Sequence, residues 1–225
     1  MVRLVLFDID GTLIRTGGAG MKAFAKTFET EFKVWDGFEQ LHFAGRTDGG
    51  IVREFFSLHQ IEPTLANFDR FFERYVFWLD QLLPQCHCSV CPGVWDFVHG
   101  LQRLAQPPLL GLLTGNIRLG AEIKLRHLKL WDVFQTGAFA DDHEDRNHIA
   151  AVAHRRGSRM LGTELRGEEV VVVGDTPHDI RCGRAIGAKV LAVGTGGSEL
   201  DELKAHRPDW ALPDLRAITA REVVG

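Results

Sequence analysis

At 225 residues, with 45% hydrophobic and 25% charged side chains, the chain is long enough to bury one large core and to carry an insertion. A net charge of −4 and the lack of a basic stripe with interleaved aromatics give no reason to expect nucleic acid as a partner. No apolar run approaches the ~18 residues of a membrane span, and the first apolar run begins too early to leave room for a signal peptide, so a soluble cytoplasmic protein is expected.

The segment from Val5 to Ile14 reads Val-Leu-Phe-Asp-Ile-Asp-Gly-Thr-Leu-Ile. Its apolar start predicts a buried parallel strand, ending in two carboxylates spaced i, i+2 and then a glycine. Period two puts Asp8 and Asp10 on one side at the carboxyl end of the strand, where open α/β sheets bind ligands. Two crowded acids repel each other and resist desolvation, so a cation is expected between them, and a hard divalent ion suits oxygen ligands.

Gly17, Gly18 and Gly20 follow in a turn over Arg15 to Gly20. The chain then changes character. Met21, Phe24, Ala25, Phe28 and Phe32 recur at helical spacing, as do Ile51, Val52, Phe55 and Phe56, and then Phe68, Phe71, Phe72, Tyr75, Leu79 and Leu82. Three helices with their aromatics in a shared core are predicted. Cys86, Cys88 and Cys91 cluster around His87, but the second ligand pair of a structural zinc site is missing and a disulfide does not suit a reducing cytosol. These residues read as a hinge before a helix starting at Pro92-Gly93-Val94, and Cys182 as packing.

Beyond Leu104 strands and helices alternate, which implies a parallel sheet covered by helices. Leu109 to Asn116 is an apolar strand closing in Thr114, Gly115 and Asn116, with a helix from about Ile117 whose N-terminal N–H groups could face an anion. Thr136 to Phe139 is a short strand, followed by an acidic segment containing Arg146 and a helical stretch from Ile149. Val170 to Asp179 is a β-branched run ending in Gly-Asp and, four residues later, Asp179. Val190 to Val193 and Trp210 to Leu212 complete the strands.

The Asp8-Ile-Asp-Gly-Thr12 segment resembles the first motif of the haloacid dehalogenase superfamily, and the Thr114 and Asp175 segments resemble its second and fourth. The resemblance implies an α/β fold, a Rossmann-like parallel sheet with an inserted α-helical cap: residues 1–16 and 85–225 as the core and 17–84 as the cap. It implies a phosphatase in which Asp8 is the nucleophile and Asp10 the acid/base. Mg2+ would be held by Asp8, Asp175 and the backbone carbonyl of Asp10, with Asp179 supporting the metal site, and Thr12, Thr114, Gly115 and Asn116 would bind phosphate. The family's third motif supplies a cation, usually lysine. No lysine lies between Lys129 and Lys189, so Arg146 is the expected clamp, against the alternative of a surface arginine paired with Asp142 or Asp145. In the cap, Phe43-Ala-Gly-Arg-Thr-Asp48 resembles a loop that faces the active site in phosphoglycolate phosphatase-like relatives, which makes Arg46 a substrate contact or, equally, a surface arginine. The expected substrate is a small phosphorylated metabolite. A phosphomutase, a 2-haloacid dehalogenase and a silent binding module stay open as alternatives, and neither the ester nor the oligomeric state is legible.

Overall fold

The computed structural model describes residues 1–38 and 41–225. Strand β1 (Leu4–Phe7) leads through the short β2 (Ile14–Arg15) into helix α1 (Ala19–Thr27), which runs on as a π-helical turn, Phe28–Phe32. Helices α2 (Asp48–Leu58) and α3 (Leu65–Leu82) follow. The chain returns through β3 (Ser89–Val90), antiparallel to β2. From there it alternates through α4 (Val94–Gln102), β4 (Leu109–Leu113), α5 (Arg118–His127), β5 (Thr136–Ala138), α6 (Arg146–Met160), β6 (Val170–Gly174) and α7 (Pro177–Ala185). It ends with β7 (Lys189–Val193), α8 (Leu200–Ala205), β8 (Trp210–Leu212) and α9 (Ala220–Val224).

Six strands pair in the order β5-β4-β1-β6-β7-β8, all parallel. Successive crossovers leave β1 in opposite directions, so the switch point of the sheet lies at its carboxyl end, where such sheets bind ligands. The strands are apolar because both faces are covered. On β1, Val5 and Phe7 enter a core with Val94, Phe97 and Leu125, while Leu4 and Leu6 face the opposite core with Ile149, Ala150 and Ala153.

The inserted helices have a core of their own, joined by Ile117. Phe28 lies at its centre, its ring centroid 4.0 Å from that of Phe55 and 4.6 Å from that of Phe71. Phe24, Phe56, Tyr75 and Leu79 are buried as the spacing predicts. Met21 is not. It is exposed because the helix turns it to the mouth of the cavity described below. Thr47 and Thr64 start α2 and α3, their hydroxyls accepting the N–H of Gly50 and Asn67.

Two connecting segments differ from expectation. Arg15 belongs to β2 rather than to a free turn, and its guanidinium donates twice to the Thr195 carbonyl, at 2.7 and 3.0 Å. The cysteine-rich return strand is also ordered by pairing: β3 lies against β2, and the Cys88 thiol donates to the carbonyls of Leu83 and Thr16. Among the described residues no helix is long and apolar enough to cross a membrane.

Candidate active site

β1 carries Asp8 beyond its last paired residue, with the Asp8 N–H donating to the Val173 carbonyl at 2.9 Å. The chain then turns at Gly11, whose φ of +83° favours glycine and whose missing Cβ would stand 2.5 Å from an Asp175 oxygen. Asp175 leaves the neighbouring β6, and its two oxygens accept the Thr12 hydroxyl (2.9 Å) and the Gly197 N–H (2.8 Å). Thr12 is therefore buried behind Asp175 and outside the cavity lining, in a different place from the phosphate-binding position expected of it.

Asp8, Asp175 and Asp179 each bring a carboxylate oxygen within 4.8 Å of the others, and all three are buried. Burial is the main reason that the Asp8 carboxyl is pushed up to about 7 and that of Asp175 to about 8, and the charge of Asp179 raises both further. Nearby positive charge would reverse these shifts. The donor set, hard oxygens beside a single guanidinium, fits a small divalent cation. Among the described residues this is the one group of three His, Cys, Asp or Glu side chains so arranged, and the cysteines take no part in one.

Arg146 is the first residue of α6, placed there by Asp145, whose side chain accepts the Asn147 N–H at 2.7 Å. Its guanidinium lies 3.5 Å from Asp8 Oδ1 and hydrogen-bonds Asp179 Oδ1. Burial opposes its charge, but the carboxylates of Asp179 and Asp8 outweigh burial and hold it protonated. Asp142, the alternative partner, is taken by Arg156 at 2.6 Å. Asp179 accepts the Thr176 N–H and hydroxyl on its other oxygen, at 3.0 and 2.7 Å. It thus caps α7 and fixes Arg146 at once, its own oxygens already occupied.

Asp10 points the other way. Its Oδ2 accepts from Asn116 Nδ2 at 2.9 Å and from Lys124 Nζ at 2.6 Å, and the lysine also donates to Asn116 Oδ1 at 2.6 Å. Asn116 Nδ2 further donates to the Thr114 hydroxyl oxygen at 2.8 Å. The Asn116 side chain is consequently spent on Asp10, Thr114 and Lys124, whereas the sequence suggested a phosphate donor. Thr114, Gly115 and Asn116 all line the cavity. Lys124 lies before β5, outside the stretch where the third-motif cation is expected. Its signal was its register: Ile117, Ala121, Lys124 and Leu125 share the buried face of a helix, an unusual place for an ammonium.

These groups open into a cavity of about 600 Å³ whose far wall comes from the inserted helices, including Phe43, Arg46, Asp48, Ile51 and Tyr75. Arg46 lines it but is ion-paired to Glu54. The neighbouring residues fasten the wall down. Asp48 N–H donates to the Gly115 carbonyl at 2.7 Å, Asp48 Oδ2 accepts the Ile117 N–H at 2.8 Å, and the Thr47 hydroxyl donates to the Glu144 carbonyl at 2.9 Å. Burial raises the Asp48 carboxyl to about 7, although Lys124 opposes this. Neither Asp48, at the end of a loop, nor Tyr75, on an apolar helix face, has a local sequence pattern that marks it as a lining residue.

Known proteins share this fold. The family model described as haloacid dehalogenase-like hydrolase matches residues 5–193. The pyrophosphatase PpaX of Bacillus cereus is 26% identical over 218 residues, covering 95% of this chain and 93% of that protein. CbbY from Rhodobacter sphaeroides, solved in complex with phosphate, superposes with a TM-score of 0.70 at 20% identity, covering 88% of each chain. A hydrolase from Pseudomonas syringae gives 0.73 at 19% identity, covering 96% of this chain and 94% of that one. With the matched span running from the first strand to β7, the chain belongs to the haloacid dehalogenase-like hydrolases.

Proposed function

We propose that the protein is a magnesium-dependent phosphatase that hydrolyses a small phosphorylated metabolite through an aspartyl-phosphate at Asp8. The observation that carries this reading is the buried set of Asp8, Asp175 and Asp179 with one guanidinium facing Asp8, of which Asp8, Asp175 and Arg146 line a cavity that also exposes Asp10. Halide displacement at carbon would call on neither Asp175 nor Asp10.

Magnesium would be held by Asp8, Asp175 and the Asp10 backbone carbonyl, and when bound it neutralises charge on the nucleophile and the phosphoryl oxygens. Asp8 attacks phosphorus, dividing one hard displacement into two easier ones. Asp10 gives a proton to the departing oxygen and later takes one from the water that hydrolyses the intermediate. Arg146 stays charged and sets its fork beside Asp8, while the Thr114 hydroxyl and the Gly115 backbone face the transferring oxygens. Residues 17–84 act as a lid that excludes water while its loop rests on Gly115.

The named activities of similar proteins guide the choice of substrates. PpaX is a pyrophosphatase, and CbbY has been crystallised, as a variant, with xylulose-1,5-bisphosphate. Purified protein is therefore assayed with magnesium against pyrophosphate, sugar phosphates, phosphoglycolate and nucleoside monophosphates. Phosphate release that disappears with a chelator supports the reading. Isomerisation of a sugar phosphate without net release would make the protein a mutase, and inertness towards the whole panel would leave a binding module.

A further inference from the structure

Lys124 is buried in the last turn of α5, and a buried ammonium costs desolvation that an apolar residue of similar size would not. Such a charge calls for a role other than stability. Two of its donors are used on the Asp10 Oδ2 and Asn116 Oδ1 atoms, both at 2.6 Å, and Asn116 Nδ2 reaches the same Asp10 oxygen at 2.9 Å. One carboxylate oxygen of Asp10 thus accepts two strong hydrogen bonds, one of them from a cation. The other, Oδ1, has no hydrogen-bond partner among the described residues, and Asp10 lines the cavity.

We propose that Lys124, with Asn116, is a positioning residue that locks Asp10 so that Oδ1 alone carries the proton to and from the leaving group. This rests on the phosphatase reading above. In the first step an Asp8 oxygen forms a bond to phosphorus as the ester P–O bond breaks, and the departing oxygen takes the proton from Asp10 Oδ1. In the second, water forms a bond to phosphorus and gives a proton to Asp10 Oδ1 as the bond to Asp8 breaks, which releases phosphate and restores both carboxyl groups. Lys124 exchanges no proton. It prevents the carboxyl from rotating and keeps the proton off Oδ2, which faces away from the substrate. A second anionic group of the substrate is a poorer fit for Lys124, because its ammonium is already engaged by Asp10 and Asn116.

The consequence is selective. Orientation of the acid matters most when the leaving group is basic and least when it departs readily as an anion. The test compares kcat/KM, which reports steps up to departure of the leaving group, for phenyl phosphate and p-nitrophenyl phosphate, two probes of similar shape. Lys124→Met is expected to lower the value for phenyl phosphate about tenfold more than that for p-nitrophenyl phosphate. Lys124→Gln, which keeps an N–H donor group but loses the charge, is expected to widen the gap less, in the same direction. Equal falls for the two phenols in both variants, or no fall for either, would overturn the proposal. Wild type inert with magnesium towards both and towards every phosphate of the panel above would sink the phosphatase reading before any variant is made.

Discussion

Gly115 faces the backbone carbonyl of Arg46 so closely that a methyl group added to it would lie deep inside van der Waals contact. The two residues belong to different parts of the molecule, the end of a sheet strand and the loop before α2, and the hydrogen bond from Asp48 N–H to the Gly115 carbonyl seals the same junction. The inserted helices therefore rest directly on the loop after β4 that lines the cavity, the end where the proposed reading puts the phosphoryl group.

Gly115→Ala should hold the lid away while leaving each part folded. A displacement of about 1 Å near reacting groups can cost on the order of a hundredfold in rate, so kcat/KM should fall about 10- to 100-fold with little change in melting temperature. Unaltered kinetics would mean that the lid need not dock here.

Arg146 bridges Asp8 and Asp179, and its loss would leave two buried carboxylates without their counter-charge. Arg146→Ala should destabilise the protein by about 3–5 kcal/mol, the usual cost of breaking a buried pair, and abolish turnover. Arg146→Lys should recover much of the stability and little of the activity, since a point charge cannot serve both acids as the planar fork does. Denaturant titration and phosphate release measure the two effects separately.

The pH dependence of stability follows from the buried acids. Asp8 and Asp48 sit at about 7 and Asp175 at about 8, each against an ordinary value of 3.8. Between those limits the folded protein keeps protons that the unfolded chain has released. The contribution is thus complete below about pH 4 and lost as the pH rises through about 7 to 8, at roughly 1.4 kcal/mol per unit for one group. Magnesium-free protein should melt several degrees lower at about pH 8 than at about pH 5, and excess magnesium should raise the melting temperature more at the higher pH. A flat profile without metal would contradict this arrangement of charges.

Phe28 fills the centre of the core of the inserted helices against Phe55 and Phe71. Phe28→Ala should cost about 3–5 kcal/mol as a large-to-small change at a fully packed site. Hydrogen exchange should locate the loss in α1, α2 and α3 and spare the sheet.

What could be read from the sequence was what local pattern encodes. Apolar runs ending in polar residues disclosed β1, β4 and β6 with Asp8, Thr114 and Asp175 at their ends, because a strand buried on both faces has to be apolar and turns polar where it meets the cavity. Arg146 was legible as the basic residue after β5, and it opens α6, three residues earlier than the helical stretch expected from Ile149. Side-chain direction was not. Thr12, two residues beyond Asp10, turns behind Asp175, and Asn116, at the expected strand end, turns to Asp10, since tertiary hydrogen bonds decide both. Lys124 and Asp48 come together only through folding, and a lysine on an apolar helix face was the single local hint. Met21 kept the helical period, yet the cavity opens where that period would have buried it.

The central claim is a covalent phosphoryl group on Asp8. Acid quenching during turnover, followed by proteolysis and mass spectrometry, tests it most directly, with the Asp8→Asn variant alongside. The expected result is a peptide containing Asp8 that is heavier by one phosphoryl group, absent from a variant that folds normally and releases no phosphate. Phosphate release by Asp8→Asn at a rate near that of wild type, or turnover with no phosphoryl group on the Asp8 peptide, would contradict the account.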